Sequence, residues 1–189
     1  MIPDKRRIEE FWEKYHIPER KRKHCEIVAD VALFFAKKLR EKGIEIDEHL
    51  LFAAAYLHDI DKNIEKLPGE KHPDTVVRIL KQEGMDEVAE VVRTHPLHMI
   101  LDAKNAPKTI EQKVLFLADK MTRYECIGIQ KRFEIWKKED YDEESQAILD
   151  ASYPKVKALE DKITSMIGIS EQNVIQLYEK KYSPLARMN

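Results

Sequence analysis

Residues 50–62 have the sequence LLFAAAYLHDIDK, an apolar and alanine-rich run that ends in an imidazole beside a carboxylate. Its apolar residues recur every three or four positions, which is the spacing of one helix face. Asp47 precedes the run and can cap the helix. A buried ionisable group must be paired or bound to a metal. His58 and Asp59 therefore predict a metal site whose other ligands come from elsewhere in the chain.

The composition of the 189 residues favours a soluble, helix-rich protein. Hydrophobic residues make up 43% and charged residues 36%, with only five glycines, which is unlike a β-sandwich or a disordered chain. The length suits one domain, or one domain with a helical extension.

Charge and cysteine usage exclude several classes of protein. A formal net charge of −2 gives no global attraction to nucleic acid or to an anionic membrane. We interpret the basic runs at residues 5–7 and 19–23 as solvated helix faces. Cys25 and Cys126 stand apart, which argues against a disulfide framework and a structural zinc site. No apolar window is long enough for a signal peptide or a membrane span, so we expect a cytoplasmic protein.

Helical periodicity extends along almost the whole chain and predicts an all-α fold of eight or nine helices. Thr109 with Gln112 has the pattern of a capping box, whereas Asp74 and Asp86 are expected to be N-caps. Pro154 is expected to start or kink a helix. The predicted helices span about residues 24–40, 48–60, 74–82, 86–95, 109–121, 130–138, 142–150, 154–166 and 170–181.

Ionisable residues interrupt the apolar pattern at helix ends or in the loops beside them. Imidazole and carboxylate together suit iron, manganese or zinc, and a shared carboxylate can bridge two ions. Taken singly each residue has a structural alternative: His95 could be a core histidine, and Asp119 a cap or an ion-pair partner. His98 is an alternative to His95 as a ligand. Phe11, Trp12 and Trp136 are interpreted as core residues. The candidate ligands are His24, His58, Asp59, His72, His95 and Asp119.

The order His, His-Asp and Asp resembles that of the HD-domain metal-dependent phosphohydrolases. The minimal ligand set of that family falls on His24 in RKHCEIVADVA, on the pair in YLHDIDK, and on Asp119 in LFLADKM. The resemblance covers about residues 20–124. It implies an HD-domain helical bundle at residues 1–126, with a C-terminal helical extension at residues 127–189 that packs on the same domain.

Members of the family with two metals carry two more histidines between the pair and the last aspartate. His72 and His95 stand at those places. This part is most similar to the subgroup that hydrolyses diadenosine tetraphosphate symmetrically. The chain departs from it, with THP for a YHT-like segment and ADKMTRYE without the proline-arginine ending. The resemblance implies a divalent metal cofactor, as two ions of iron, manganese, cobalt, nickel or zinc.

The resemblance also implies hydrolysis of a nucleotide or another small phosphate ester by attack of a metal-activated water. Asp59 would be the shared ligand, and Lys62 and Arg123 would neutralise charge on the phosphate oxygens. A surface lysine and a surface ion pair are the alternatives for these two cations. Asp61 replaces the glycine of the commoner H-D-I-G-K motif. Its charge is expected to repel a second phosphate group and to favour a monophosphate over a polyphosphate.

The sequence leaves three alternatives to an active hydrolase. The first is a nucleotide-sensing regulatory module without turnover, although such a module has no need of the complete ligand set. The second is a di-iron HD oxygenase, which the ligand set alone does not exclude. The third is a helical bundle without metal. The C-terminal helices could cover the site or form a homodimer.

Overall fold

The computed structural model describes residues 1–139 and 141–182. Its fold is all-α, as the helical pattern of the sequence predicts. Within these ranges there are nine α-helices, two short 3-10 helices and no named strand. Both the fold class and the number of helices are therefore confirmed. The elements are α1 Lys5–Lys14, α2 Glu19–Glu41, α3 Glu48–Leu57, η1 Ile60–Asn63, α4 Asp74–Gln82, α5 Asp86–Val92, η2 Leu97–Leu101, α6 Ile110–Lys120, α7 Ile129–Trp136, α8 Glu143–Ile167 and α9 Glu171–Tyr182.

The centre of the bundle is formed by α2 and α3, which pack against each other and against α6. Helix α5 packs on α3 and α4, so these helices enclose a common apolar core. Large side chains such as Phe35, Leu51 and Phe116 are completely buried there. Each fully buried side chain of this size stabilises the fold by about 1.5–3 kcal/mol. The same packing brings His24 of α2, the end of α3 and Asp119 of α6 to one side of the bundle.

Two predicted helix starts are confirmed and two are wrong. Asp47 accepts a hydrogen bond from the backbone N–H of Leu50 at 2.9 Å, and Thr109 forms a capping box with Gln112. Asp74 and Asp86 are instead the first residues of α4 and α5, after Pro73 and Met85. The Asp74 carboxylate accepts from the N–H of Lys71 in the preceding loop at 2.9 Å. Negative charge in the first turn is also favoured by the helix dipole.

The structure corrects two helix ends. Helix α8 runs without interruption through Pro154, which was expected to start or kink a helix. One side of this helix, including Val156 and Ile163, is buried, and this packing holds the helix together where proline removes a backbone donor. Helix α5 ends at Val92, so His95 lies in the turn after it.

The N- and C-terminal helices pack on the same core. Phe11 and Trp12 of α1 are buried, as predicted for core residues. Helix α8 contacts α2, α6, α7 and η2. The division at residue 126 stays a prediction, and residues 183–189 of the predicted extension lie outside the described residues. Across the part of the chain that the structure describes, no helix combines the length and apolarity needed to cross a membrane.

Candidate metal centre

The six predicted ligands come from five separate segments and lie at one end of the core. They are His24 in α2, His58 and Asp59 at the end of α3, His72 in the loop before α4, His95 after α5, and Asp119 in α6. Within each of three overlapping triads, the ligand atoms lie within 4.8 Å of one another. Residues that are up to 95 positions apart in sequence thus form one cluster.

Asp59 lies between two pairs of histidines. Its Oδ2 atom is 3.9 Å from the Nε2 atoms of both His24 and His58. Its Oδ1 atom is 3.7 Å from Nε2 of His72 and 3.6 Å from Nε2 of His95. The two oxygens of one carboxylate therefore face two different sets of imidazoles.

Asp119 completes the set on the Oδ2 side. Its Oδ1 atom is 3.2 Å from Nε2 of His24 and 3.5 Å from Nε2 of His58. These separations of roughly 3–4 Å are those of atoms that share an ion with metal–ligand bonds of about 2.0–2.2 Å.

Three of the four imidazoles are held by backbone carbonyl groups through their Nδ1 atoms. His24 is bound to the carbonyl oxygen of Arg123 at 2.9 Å, His58 to that of Ala55 at 2.7 Å and His95 to that of Val92 at 2.6 Å. A carbonyl only accepts, so Nδ1 carries the proton in these rings. Each Nε2 atom then presents a lone pair to the cluster, which is the tautomer that a metal ligand needs.

Unpartnered buried atoms support the fit of a metal. Among the described residues, Nε2 of His58 and Oδ1 of Asp59 are buried without a hydrogen-bond partner. Such atoms are costly unless something binds them. The Nε2 atoms of His72 and His95 also approach each other to 2.9 Å. The donor set of imidazoles and carboxylates fits divalent iron, manganese or zinc.

The pKa values favour the charge states that bind a metal. Burial raises the pKa of Asp59, but the imidazoles and Lys62 outweigh burial and hold it well below its usual range. Burial also raises the pKa of Asp119, and Lys120 with the nearby histidines outweighs it. Burial lowers the pKa of His95 to about 3. At neutral pH, both carboxylates are ionised and His95 is neutral.

A comparison of the chain with models of known protein families identifies its family. The model of the HD domain family matches residues 22–124, more than half of the chain. The chain belongs to the HD-domain family. Membership places this HD-domain protein in the superfamily of metal-dependent phosphohydrolases. The match does not separate subgroups, so the likeness to the diadenosine tetraphosphatases stays a prediction.

A curated relative and the solved structures add little about activity. An uncharacterized protein of Methanocaldococcus jannaschii is 29% identical over 126 residues, which covers 59% of this chain and 73% of that protein. No solved structure matches this HD-domain protein significantly.

Three lysines surround the carboxylates of this HD domain. Lys62 donates to Oδ2 of Asp59 at 2.7 Å, and Lys21 donates to the same oxygen at 3.0 Å. Lys120, which is almost completely buried, contacts Asp119. Lys21 belongs to the basic run that was interpreted as a solvated helix face, and that interpretation is wrong for this residue. Its position one helical turn before His24 was the available signal.

The cluster lies at the base of a cavity of about 1040 Å³. Arg123 lines this cavity, as predicted, with its guanidinium 3.8 Å from Glu139. Arg132 and Trp136 of α7 also line it, although no role was predicted for Arg132 and only a core role for Trp136. No motif marks either residue, because their position depends on how α7 packs. The cavity thus carries an excess of positive charge around the carboxylates.

The position of Asp61 overturns the argument that it repels a second phosphate. Its side chain is completely buried, and Nδ1 of His72 is 2.9 Å from each of its oxygens. Asp61 therefore orients a histidine and does not line the cavity. Of the two alternatives after α5, the geometry favours His95 over His98, because His95 faces Asp59 while His98 is exposed at the cavity wall.

Proposed function

We propose that this protein is a phosphohydrolase that uses two divalent ions to cleave a nucleotide or another small phosphate ester. The observation that carries the proposal is the position of Asp59, whose two oxygens face two separate pairs of histidines. A carboxylate in this position is suited to bridging two ions.

The chain offers a ligand set for each ion. His24, His58, Asp59 and Asp119 would hold the first, and Asp59, His72 and His95 would hold the second. When bound, such ions make a nucleophile from water at neutral pH and polarise a phosphoryl oxygen. The hydrogen bonds at Nδ1 keep the imidazoles oriented, so no ring has to rotate before an ion binds.

The cations of the cavity support a phosphorylated substrate. Lys62 lies beside Asp59, and Arg123 lines the same cavity. Their charged groups would stabilise the negative charge on the phosphate oxygens that do not bind the ions. The cavity is of the size that holds a small ligand, which favours a nucleotide or a similar ester over a nucleic acid.

Phosphate release under defined metal conditions tests this proposal. Protein stripped with a chelator is reloaded separately with iron, manganese, cobalt, nickel or zinc, and is assayed on a panel of phosphate esters. We expect phosphate release that depends on metal and is lost in Asp59→Ala. Asp161→Ala, which removes an exposed carboxylate of α8, is the control and should behave like the wild type.

The alternatives give different results in the same experiment. A regulatory module would bind a nucleotide and release no phosphate. An oxygenase would consume oxygen with a reduced iron centre. Either result, or full activity of Asp59→Ala, would contradict the proposal.

A further inference from the structure

A smaller pocket of about 250 Å³ adjoins the metal cavity. Five of its lining residues are shared with that cavity, so the two spaces are continuous: Leu97, His98, Trp136, Tyr141 and Ser145. Ile148 and Leu149 of α8 form the remaining wall. Most of these side chains are aliphatic or aromatic, whereas ionised groups line the metal cavity. The combined space therefore has a charged part and an apolar part.

Trp136 is held in place at the boundary between the two parts. The guanidinium of Arg132 lies 4.3 Å from the centre of its ring, and Phe133 meets it edge-on at 5.2 Å. Contacts of both kinds are favourable. The Nε atom of Arg132 is buried without a hydrogen-bond partner among the described residues. The aromatic wall is thus positioned before a ligand arrives.

The pocket walls come mainly from outside the matched HD domain. Trp136, Tyr141, Ser145, Ile148 and Leu149 follow residue 124, where the family match ends. They belong to α7, to α8 and to the segment between them. Residues outside the matched HD domain therefore form most of the wall beside the cluster of ligands.

We propose that this pocket binds the base of a nucleoside monophosphate whose phosphate lies at the metal centre. This inference rests on the proposed phosphohydrolase function and names its substrate class. The planar faces of a base fit an apolar pocket with an aromatic wall, because these faces need no hydrogen bonds, and the groups on its edges can meet the polar residues of the wall, His98, Tyr141 and Ser145. A sugar would lose the hydrogen bonds of its hydroxyl groups to water there, at a cost that few polar side chains could offset. The small volume suits one base and not two nucleosides.

A matched pair of substrates isolates the base. Each of the four common nucleoside 5′-monophosphates is compared with ribose 5-phosphate, which has the same phosphate and sugar and lacks the base. We expect kcat/KM of the metal-loaded protein to be at least about tenfold higher for one or more of the nucleotides, which is the effect of burying one ring. Equal use of ribose 5-phosphate and all four nucleotides by the wild type would overturn the inference.

Ser145→Phe places a ring where the two spaces meet, and Ala147→Phe is its matched control. Ser145 lies in the first turn of α8, where its backbone N–H is bound to Asp142, while Ala147 is exposed on the same helix. We expect the preference for the nucleotide over ribose 5-phosphate to fall towards one in Ser145→Phe and to persist in Ala147→Phe. A preference that persists in folded Ser145→Phe would also overturn the inference. The wild-type comparison decides the question even if the variant does not fold.

A binding measurement separates this inference from the proposed function. Titration calorimetry of metal-free protein in chelator compares the same nucleotides with ribose 5-phosphate, without turnover. Tighter binding of a nucleotide with no phosphate release under any metal would contradict the proposed function and support the pocket. If all five compounds bind equally and release phosphate at equal metal-dependent rates, the inference that the pocket binds the base is contradicted. The proposed phosphohydrolase function would then still hold.

Discussion

Removing Asp61 should weaken one metal site and leave the other intact. Asp61 is completely buried, and both of its oxygens lie 2.9 Å from Nδ1 of His72. His72 depends on this contact more than the other histidines do on theirs, since 23% of its side chain is exposed, against 2% for His95 and none for His58. In Asp61→Ala, His72 would lose its orientation and its Nδ1 partner.

Outer partners of this kind contribute about 10–100-fold to metal affinity, which is about 1.4–2.7 kcal/mol. We expect that loss at the ion held by His72 and His95, and no comparable loss at the ion held by His24. Asp61→Asn keeps an acceptor for Nδ1 and removes the charge, so its affinity should lie between those of Asp61→Ala and the wild type.

The assay is competition with a chromophoric chelator, in which the proposed two ions should give two binding steps in the wild type. Thermal denaturation of the metal-free variants shows that they are folded, and Asp161→Ala serves as a surface control. Two unchanged binding steps in folded Asp61→Ala would refute the reasoning. Equal weakening of both steps would refute the assignment of Asp61 to one ion.

Three further predictions follow from other parts of the structure. Lys62→Ala and Arg123→Ala should each lower kcat/KM on phosphate esters by about one to two decades without lowering metal content; a parallel loss of metal would contradict their role at the phosphate. Burial raises the pKa of Glu160 to about 8, so the folded state holds a proton there that the unfolded state releases near 4.5, and stability should fall as pH rises through this interval. In Glu160→Gln the unfolding free energy should depend less on pH, as measured by denaturation at several pH values. An unchanged pH dependence would contradict the role of Glu160. Thr109→Ala removes the cap of α6 and should cost about 1 kcal/mol of unfolding free energy, measured by denaturant titration; no loss would show that Gln112 suffices.

The sequence predicted which side chains converge in one cluster, because their order resembles that of the ligands in the HD-domain family. His24, His58, Asp59 and Asp119 are ionisable residues in apolar helices, where such groups are rarely found without a partner. Helical spacing also predicted the fold class, and the capping box at Thr109 was a local signal that needed no tertiary information.

The sequence did not predict features that depend on packing between distant segments. Lys21 was assigned to solvent with the rest of its basic run, because its position one helical turn before His24 does not by itself show that its amine reaches Asp59, 38 residues later. Asp61 was assigned to the substrate side, whereas the short 3-10 helix after α3 turns it inward towards His72. No local pattern indicated that Trp136 would line a cavity, because its position depends on how α7 and α8 pack on the HD domain.

The metal content of the purified protein tests the central claim most directly. Wild-type protein and Asp59→Ala are loaded with divalent metal, freed of excess ion by gel filtration and analysed by plasma mass spectrometry. A carboxylate shared by two ions predicts about two ions per chain in the wild type and the loss of both in Asp59→Ala. A wild-type protein that retains no metal, or an Asp59→Ala variant that retains the full complement, would contradict the account.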